Sequence, residues 1–326
     1  MKFWFGFLAG VVGLSLLWIA GAQQQLGHAT PSSRWVFDAY QHKTQAAQKI
    51  TTSKVLIVAG SNAMFGIDSK QISAYWQRPT VNMAVNAGLG IDYILAQGRQ
   101  LAKPGDILIL PLEYALYLDN GEANSQIIDY VIARDVGYWK QLPLTQKTAY
   151  LAGMSPERWI QGLRQPDDPP VTTGTYGAHH LDAWGDQTQS GPEQQQAVEK
   201  AAVELAATPA KAWHYGERAA QETGAWERLR QFAIWAKSQN ICVIATPTAL
   251  LEHASYRQQV LEQKFYESLP ERVTALGIPY AGKPYDFMYP ASNFFDTDHH
   301  LQDWARNEHT RKLVALFQQN AYCTMK

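Results

Sequence analysis

Cysteine and clustered charge are the features that this 326-residue chain has least of. Charged residues make up 17% of the sequence, the net charge is −1, and no run of Lys or Arg occurs. Nucleic-acid binding requires a clustered basic surface, so we expect no nucleic acid among the partners. The phosphate-binding P-loop pattern is missing, and Gly88-Leu89-Gly90 lacks the third glycine of the dinucleotide pattern. We therefore expect no cofactor.

The two cysteines, Cys242 and Cys323, do not have the spacing of a structural zinc site. Cys242 lies in the apolar run 241–245, which indicates a buried and unreactive thiol. In an exported protein the alternative is a disulfide between the two, a pairing that the sequence alone does not establish.

Residues 3–22 form a long apolar run without a charge, preceded by Lys2. Twenty residues at about 1.5 Å each match the ~30 Å hydrocarbon core, so residues 1–22 are predicted to form a membrane anchor. Ala20-Gly21-Ala22 before Gln23 also fits a signal-peptide cleavage site, which would make the protein secreted. Both interpretations, and the position of Lys2, place the remaining chain in the periplasm or outside the cell. Residues 23–34 then read as a short tether.

Over residues 35–326, short apolar runs alternate with helical patterns. The predicted strands are residues 55–59, 80–85, 106–112, 241–245 and 278–280. Continuous apolar runs are typical of strands covered on both faces, as in parallel sheets. The alternation predicts an α/β fold, a three-layer α/β/α sandwich with a mostly parallel sheet. Residues 119–225 break the alternation and are predicted to be a helical insertion over the active face.

Ligands of parallel sheets bind beyond the carboxyl ends of the strands. Ser61 follows the first predicted strand, where the free N–H groups of a following helix could hold an oxyanion. The alternative is that Ser61 or Asn62 is a helix N-cap. Asn86 follows the second strand and Glu113 the third, and both are candidates to face a substrate.

Gly88 is a candidate to donate a backbone N–H to an oxyanion, and the alternative is a turn glycine with positive φ. A second polar cluster lies in the sequence Phe-Phe-Asp-Thr-Asp-His-His-Leu at 294–301. There His300 or His299 could take a proton from Ser61, and Asp296 or Asp298 could orient that histidine.

Two other interpretations of this cluster remain open. Asp296, Asp298 and the two histidines, together with His179-His180, could bind a divalent metal. Adjacent side chains of an extended chain point in opposite directions, however, so we assign no metal site. Alternatively, the cluster is a polar loop before a helix at 302–317.

These motifs together resemble the SGNH (GDSL-like) hydrolase superfamily, and most closely its exported, membrane-anchored branch. That branch includes the D-alanyl-transfer proteins of teichoic acid synthesis and the alginate O-acetylation proteins. The matching segments cover about 54–118 and 226–317. They are Gly60-Ser61-Asn62 with Phe65-Gly66-Ile67-Asp68, Asn82 through Gly90, Lys103-Pro104-Gly105-Asp106, Pro111-Leu112-Glu113-Tyr114, and 295–301 followed by Thr310 and Leu313.

The resemblance implies a flavodoxin-like SGNH fold with Ser61 as nucleophile, and with the N–H groups of Ser61 and Gly88 as oxyanion hole. It implies His300 as base, because His300-Leu301 matches the family pair, although the Asp-x-x-His spacing selects His299. Asp296 would orient the base. Glu113 stands where the family has an oxyanion-hole asparagine, and a carboxylate donates only when it is protonated.

The expected function is that of a membrane-anchored, extracytoplasmic serine acyltransferase or esterase. It would act on O-acyl groups of a cell-envelope polysaccharide or glycolipid, with an acyl donor, a glycan or envelope hydroxyl acceptor, and a membrane acyl-exporting partner. One alternative is a catalytically inactive envelope component with a binding or assembly role. Another is a metal-dependent hydrolase using His299, His300 and His179.

Overall fold

The computed structural model describes residues 2–165, 167–219, 222–320 and 322–323. The chain divides into two compact units. Unit 1 consists of Met1–Asp38 and Glu122–Thr172, and unit 2 of Ala39–Gly121 and Thr173–Lys326. The predicted insertion at 119–225 is thus divided: its first part groups with the N-terminal segment, and its second part belongs to the unit that holds the sheet.

The helices are α1 Lys2–Gln23, α2 Arg34–Lys49, α3 Ser61–Gly66, α4 Ser69–Trp76, α5 Gly90–Leu101, α6 Ser125–Arg134, α7 Val136–Gln141, α8 Leu144–Gly153, α9 Pro156–Arg164, α10 Ala197–Ala206, α11 Tyr215–Arg218, α12 Gly224–Ser238, α13 Ala254–Gln258, α14 Val260–Thr274 and α15 Asp303–Asn320. The strands are β1 Val55–Ile57, β2 Thr80–Asn82, β3 Ile107–Leu110, β4 Cys242–Ala245, β5 Leu250–Leu251 and β6 Met288–Tyr289. The fold is therefore α/β, as predicted.

The main sheet of unit 2 has the strand order β2-β1-β3-β4, and every pair in it is parallel. β1, β2 and β3 are buried throughout, which explains their continuous apolar sequences. The first four predicted strands are confirmed with shorter bounds. The fifth, at 278–280, contributes only an isolated parallel bridge between Tyr280 and Ala245. Pro279 in the middle of that run has no N–H to donate to a ladder. The two-residue strands β5 and β6 pair in parallel and had no sequence signal.

A buried ion pair fixes the end of the sheet where β1 and β3 begin. Lys54 Nζ lies 2.6 Å from Asp106 Oδ2, and both side chains are fully buried. The Lys54 N–H also donates to Asp106 Oδ1 at 2.9 Å. The polar candidates lie at the other end of these strands.

Hydrogen bonds tie the segment after residue 173 to β2, α3 and α4 of unit 2. The Asn82 N–H donates to the carbonyl of Trp184 at 2.8 Å, and the Gln187 N–H donates to that of Met64 at 3.1 Å. Asp186 accepts from the Ser69 N–H at 2.7 Å and from Asn82 Nδ2 at 2.8 Å. This part of the predicted insertion therefore packs beside the ends of β2 and α3.

In unit 1, a buried network of charged and hydroxyl groups links the segment after α1 to α6 and α9. Asp129 accepts from Thr30 Oγ1 at 2.7 Å and pairs with Arg158 Nε at 2.6 Å. Asp168 accepts from Arg134 Nη2 at 2.7 Å and from Arg34 Nη1 at 3.1 Å. Residues 23–34, predicted to be a tether, are thereby held through Thr30.

Within the described residues, Trp4–Gln23 of α1 is the one helical stretch long and apolar enough to cross a membrane. Cys242 and Cys323 form a disulfide that closes a sequence separation of 81 residues. The disulfide alternative therefore holds, and the prediction of a free thiol at Cys242 is wrong.

Candidate active site

Ser61 is presented by a tight strand-to-helix turn. β1 leads through Gly60 into α3, whose first residue is Ser61. A Cβ on Gly60 would lie 2.3 Å from Glu113 Oε1 and 2.6 Å from the Ala87 backbone nitrogen, so only glycine fits there. The N-cap of α3 is Gly60, and neither Ser61 nor Asn62 fills that role. The turn leaves Ser61 half-buried, at the carboxyl end of a central strand.

Three of the predicted residues form one hydrogen-bonded chain. Ser61 Oγ lies 2.9 Å from His300 Nε2, and His300 Nδ1 lies 2.7 Å from Asp296 Oδ1. An ionised carboxylate only accepts, so the proton of a neutral His300 sits on Nδ1 and Nε2 accepts from the serine hydroxyl. This is the arrangement in which imidazole can remove a serine proton while a carboxylate fixes its tautomer.

The loop that carries His300 is braced on both sides. Phe294 and Leu301 form an antiparallel bridge, and the Phe295 N–H donates to the His300 carbonyl at 2.8 Å. The imidazole stacks on the Phe65 ring, with centroids 4.2 Å apart and planes 8° from parallel. Phe65 belongs to α3, so the helix that starts with Ser61 also supports the histidine.

Asp296 keeps its negative charge although it is buried. Burial alone would raise its pKa, but the charge of His300 and the hydrogen bonds from His300 and Tyr176 outweigh that effect. The net result is that the pKa of Asp296 is lowered. The carboxylate is therefore available to stabilise an imidazolium ion at His300.

Tyr176 is a site residue that the sequence did not reveal. Its hydroxyl donates a hydrogen bond to Asp296 Oδ2 and lies 3.2 Å from His300 Nδ1. Burial raises the pKa of Tyr176, so its hydroxyl stays protonated and remains a donor. Tyrosines are frequent throughout this chain, and residue 176 lies in a segment without strand or helix periodicity, so no sequence pattern singled it out.

Glu113 lies beneath the Ser61 turn. Its Oε2 accepts from the Gly60 N–H at 3.1 Å, and its Oε1 accepts from the Asn62 N–H at 3.2 Å. The residue is 4% exposed, and burial raises the pKa of its carboxyl group. Its contacts are those of a brace for the turn that presents Ser61. Asn62 completes this brace, because its Nδ2 donates to the Pro111 carbonyl at 2.7 Å and to Thr248 Oγ1.

The segment after β2 runs beside the Ser61 turn, as the close approach of Ala87 to Gly60 shows. Within it, Asn86 Oδ1 accepts from the Gly88 N–H at 2.7 Å. The proposed substrate-facing amide and the proposed oxyanion donor thus contact each other. The positive φ predicted as the alternative for Gly88 occurs at Gly90, with φ of 76°. The N–H of Ser61 is the first of α3, and such N–H groups have no acceptor within their own helix.

The alternative base and the alternative metal ligands have other contacts. His299 Nδ1 lies 2.9 Å from the Ala249 carbonyl oxygen, and Asp298 accepts from Trp213 Nε1. His179 and His180 contact each other, with ring centroids 3.8 Å apart. Among the described residues, no group of three or more His, Cys, Asp or Glu side chains is arranged to hold a metal ion. The metal-site interpretation is thus not supported by the positions of these side chains.

Comparison of the sequence with protein-family models and with curated proteins finds no match to either. The site must therefore be interpreted from its own geometry. That geometry is a serine hydroxyl at the start of a helix, an imidazole in contact with it, and a buried carboxylate on the other side of the imidazole. Such a set can carry out acyl transfer through a serine ester.

Proposed function

We propose that this protein is a membrane-anchored serine acyltransferase or esterase that uses Ser61, His300 and Asp296. The observation that carries the proposal is the continuous hydrogen-bonded chain from Ser61 Oγ through His300 to Asp296. Few roles other than nucleophilic catalysis need a half-buried serine hydroxyl in contact with the distal nitrogen of a carboxylate-bound histidine.

In the proposed reaction, Ser61 Oγ attacks the carbonyl carbon of an acyl donor while His300 Nε2 takes the hydroxyl proton. The tetrahedral intermediate collapses, the leaving group departs with that proton, and the acyl group remains on Ser61 as an ester. An acceptor hydroxyl or water then gives its proton to His300 and attacks this ester. The acyl group leaves on the acceptor, and Ser61 recovers its proton. Asp296 stabilises the imidazolium ion in both halves.

The oxyanion would be held by the Ser61 N–H, joined by that of Gly88. Because the Gly88 N–H already donates to Asn86 Oδ1, it can join only if the Asn86 side chain turns away or shares the proton. Glu113 would act indirectly, since it fixes the turn through Gly60 and Asn62.

We also propose that the sheet of unit 2 belongs to a flavodoxin-like SGNH domain in three layers. It is supported by the parallel strand order β2-β1-β3-β4, which begins like the 2-1-3-4-5 order of flavodoxin-like sheets. An extracytoplasmic location is supported by the apolar helix α1 and by the disulfide, because disulfides persist in oxidising compartments. The acyl donor, the glycan or envelope acceptor and an acyl-exporting membrane partner follow from the resemblance alone.

The test is to react the purified full chain with a fluorophosphonate probe and to measure its intact mass. We expect a single adduct on the wild type and none on Ser61→Ala. Ser238→Ala is the matched control, because Ser238 is exposed and its hydroxyl donates only to the Trp235 carbonyl. The absence of an adduct on the folded wild type, or an adduct retained by Ser61→Ala, would contradict the proposal.

A second candidate function is a non-catalytic envelope component with the same fold. One observation favours it: the N–H groups of Gly60, Asn62 and Gly88 around Ser61 already have side-chain acceptors. Fewer donors are then left for an oxyanion. This candidate predicts no probe adduct, and glycan binding that is unchanged in Ser61→Ala.

A further inference from the structure

The carboxyl-terminal end of α1 borders a groove within unit 1. The groove has a volume of about 400 Å³ and is lined by α1 and by the helices α7 and α8. Its lining residues are Ile19, Gln23, Trp139, Lys140, Leu144, Lys147, Thr148 and Leu151. We call it the anchor groove. All of its lining residues belong to unit 1, whereas the Ser61 site belongs to unit 2.

The length of α1 determines the depth of this groove in a bilayer. The apolar stretch Trp4–Gln23 has 20 residues, and at about 1.5 Å per residue it spans about 30 Å, the thickness of the hydrocarbon core. If α1 crosses the bilayer, its last turn, with Ile19 and Gln23, lies where the acyl chains meet the headgroups. The groove opens at that level.

Aromatic contacts around the same turn agree with an interfacial position. The indole of Trp18 donates from Nε1 to the Leu151 carbonyl at 2.8 Å. Its ring stacks on Trp159 of α9, with centroids 6.2 Å apart. Tryptophan is enriched at membrane–water interfaces because its ring is apolar and its N–H is polar. Ile160 and Leu163 on the same helix are 48% and 54% exposed, which lets α9 face acyl chains as well.

The groove combines an apolar wall with cationic groups. Leu144, Leu151 and Trp139 form the apolar part, and Leu144 is 79% exposed. The cations are Lys140 and Lys147, and the Lys147 ammonium donates to the Lys140 carbonyl at 3.0 Å. No acidic side chain is among the residues described as lining the groove. The pairing of two lysines with exposed apolar surface matches a lipid that has both an anionic headgroup and acyl chains.

We propose that the anchor groove binds an anionic glycerophospholipid, with the phosphate-bearing headgroup at Lys140 and Lys147 and the upper acyl chain along Leu144 and Leu151. The proposal rests on the membrane-anchoring part of the proposed function and does not depend on catalysis. Bound lipid would fix α7 and α8 at the membrane surface.

The test uses the purified full chain in a mild non-ionic detergent. Phosphatidylglycerol or phosphatidylcholine with identical acyl chains is added, and retained lipid is counted by native mass spectrometry. We expect phosphatidylglycerol to be preferred, and its apparent affinity to fall about tenfold in Lys140→Gln/Lys147→Gln, which corresponds to about 1.4 kcal/mol. The matched control is Lys200→Gln/Lys237→Gln, which removes two exposed lysines of unit 2 and should change nothing.

Equal retention of the two lipids, or unchanged retention in the Lys140→Gln/Lys147→Gln variant, would overturn the proposal. Inorganic phosphate distinguishes a free-phosphate site: if it competes with phosphatidylglycerol at equal concentration and binds as tightly, the acyl part of the proposal is wrong. Carbonate extraction of membranes that contain the full chain tests the premise separately. Release of the chain into the soluble fraction would contradict both the proposal of a membrane anchor and the proposal of a lipid-binding groove. The fluorophosphonate adduct at Ser61 reports on catalysis independently of either result.

Discussion

Unit 1 and unit 2 each contain a carboxylate held by several hydrogen bonds, Asp129 in unit 1 and Asp296 in unit 2. The hydrogen-bond partners of the two carboxylates differ. In unit 1, Asp129 is satisfied by Arg158 and by the hydroxyl groups of Thr30 and Ser32. All of these partners serve to connect segments that are distant in sequence. In unit 2, Asp296 is hydrogen-bonded to one ring nitrogen of His300, and the other ring nitrogen is hydrogen-bonded to the half-buried hydroxyl of Ser61.

A buried carboxylate can therefore have one of two roles: it can stabilise the fold, or it can support proton transfer. A guanidinium ion paired with a carboxylate has no proton to exchange near neutral pH, so the Asp129 cluster can only stabilise. An imidazole between a carboxylate and a hydroxyl can move a proton in either direction. The comparison predicts that changes in the two clusters affect different measurements.

The largest expected effect is on the base. His300→Gln removes the only described acceptor for the Ser61 proton, and we expect the rate of fluorophosphonate labelling to fall by at least about a thousandfold. His299→Gln is the matched control, because His299 contacts the Ala249 carbonyl and not Ser61. It should retain labelling within about threefold of the wild type. A larger loss in His299→Gln than in His300→Gln would reverse our assignment of the base.

The next effect concerns unit 1. Arg158→Met removes the ionic partner of Asp129 and leaves a buried carboxylate without its cation. We expect the free energy of unfolding to fall by about 3 kcal/mol, measured by urea denaturation of the detergent-solubilised chain. The labelling rate per folded molecule should stay unchanged. Loss of labelling at full stability would show that the distinction between the two clusters is wrong.

A smaller effect is expected from Tyr176, whose hydroxyl contacts both Asp296 and His300. Tyr176→Phe removes a hydrogen bond to an ionised carboxylate, and we expect labelling to slow about tenfold. This bond helps to lower the pKa of Asp296, so the acid limb of the pH–rate profile should move to higher pH in the variant.

Tyr285→Phe is the control for this change, because the Tyr285 hydroxyl donates to the Tyr256 carbonyl and not to the triad. It should leave both the rate and the acid limb unchanged. If Tyr176→Phe slowed labelling but did not move the acid limb, Tyr176 would be acting through packing and not through the charge of Asp296.

Parts of this arrangement could be predicted from sequence because they leave local patterns. The buried strands are continuous apolar runs, and Ser61 follows the first of them directly. The Asp296–His300 pair is recognisable because its members are only four residues apart. Tyr176 reaches Asp296 across 120 residues, a contact that no local pattern records.

The division into two units also could not be predicted from the sequence. Unit 1 is assembled by contacts such as Thr30 to Asp129, which are 99 residues apart. The contacts of Glu113 could not be predicted from the sequence for a different reason. Its position after a buried strand is compatible with a crevice-facing side chain, and only the turn at Gly60 brings N–H donors to it.

The smallest expected effect is on the pH dependence of stability, and it concerns the carboxyl groups of Glu113 and Asp296 in unit 2. The folded-state pKa of Glu113 is raised above its ordinary value of 4.5, mainly by burial. Its contribution to stability is therefore full below about pH 4.5 and is lost as the pH rises through the raised pKa. The folded-state pKa of Asp296 is lowered below 3.8, so its contribution is present above that pH and is lost as the pH falls through the lowered value.

Glu113→Gln and Asp296→Asn should therefore change the pH dependence of the thermal midpoint in opposite directions. We expect the stability advantage of the wild type over Glu113→Gln to shrink as the pH rises from about 4.5, and its advantage over Asp296→Asn to grow as the pH rises towards about 4. Glu267→Gln is the control, since Glu267 is exposed. Parallel pH profiles for the first two variants would mean that the pKa values of the two carboxyl groups are not shifted in opposite directions. Our distinction between Glu113 as a brace and Asp296 as an ionised partner of His300 would then be wrong.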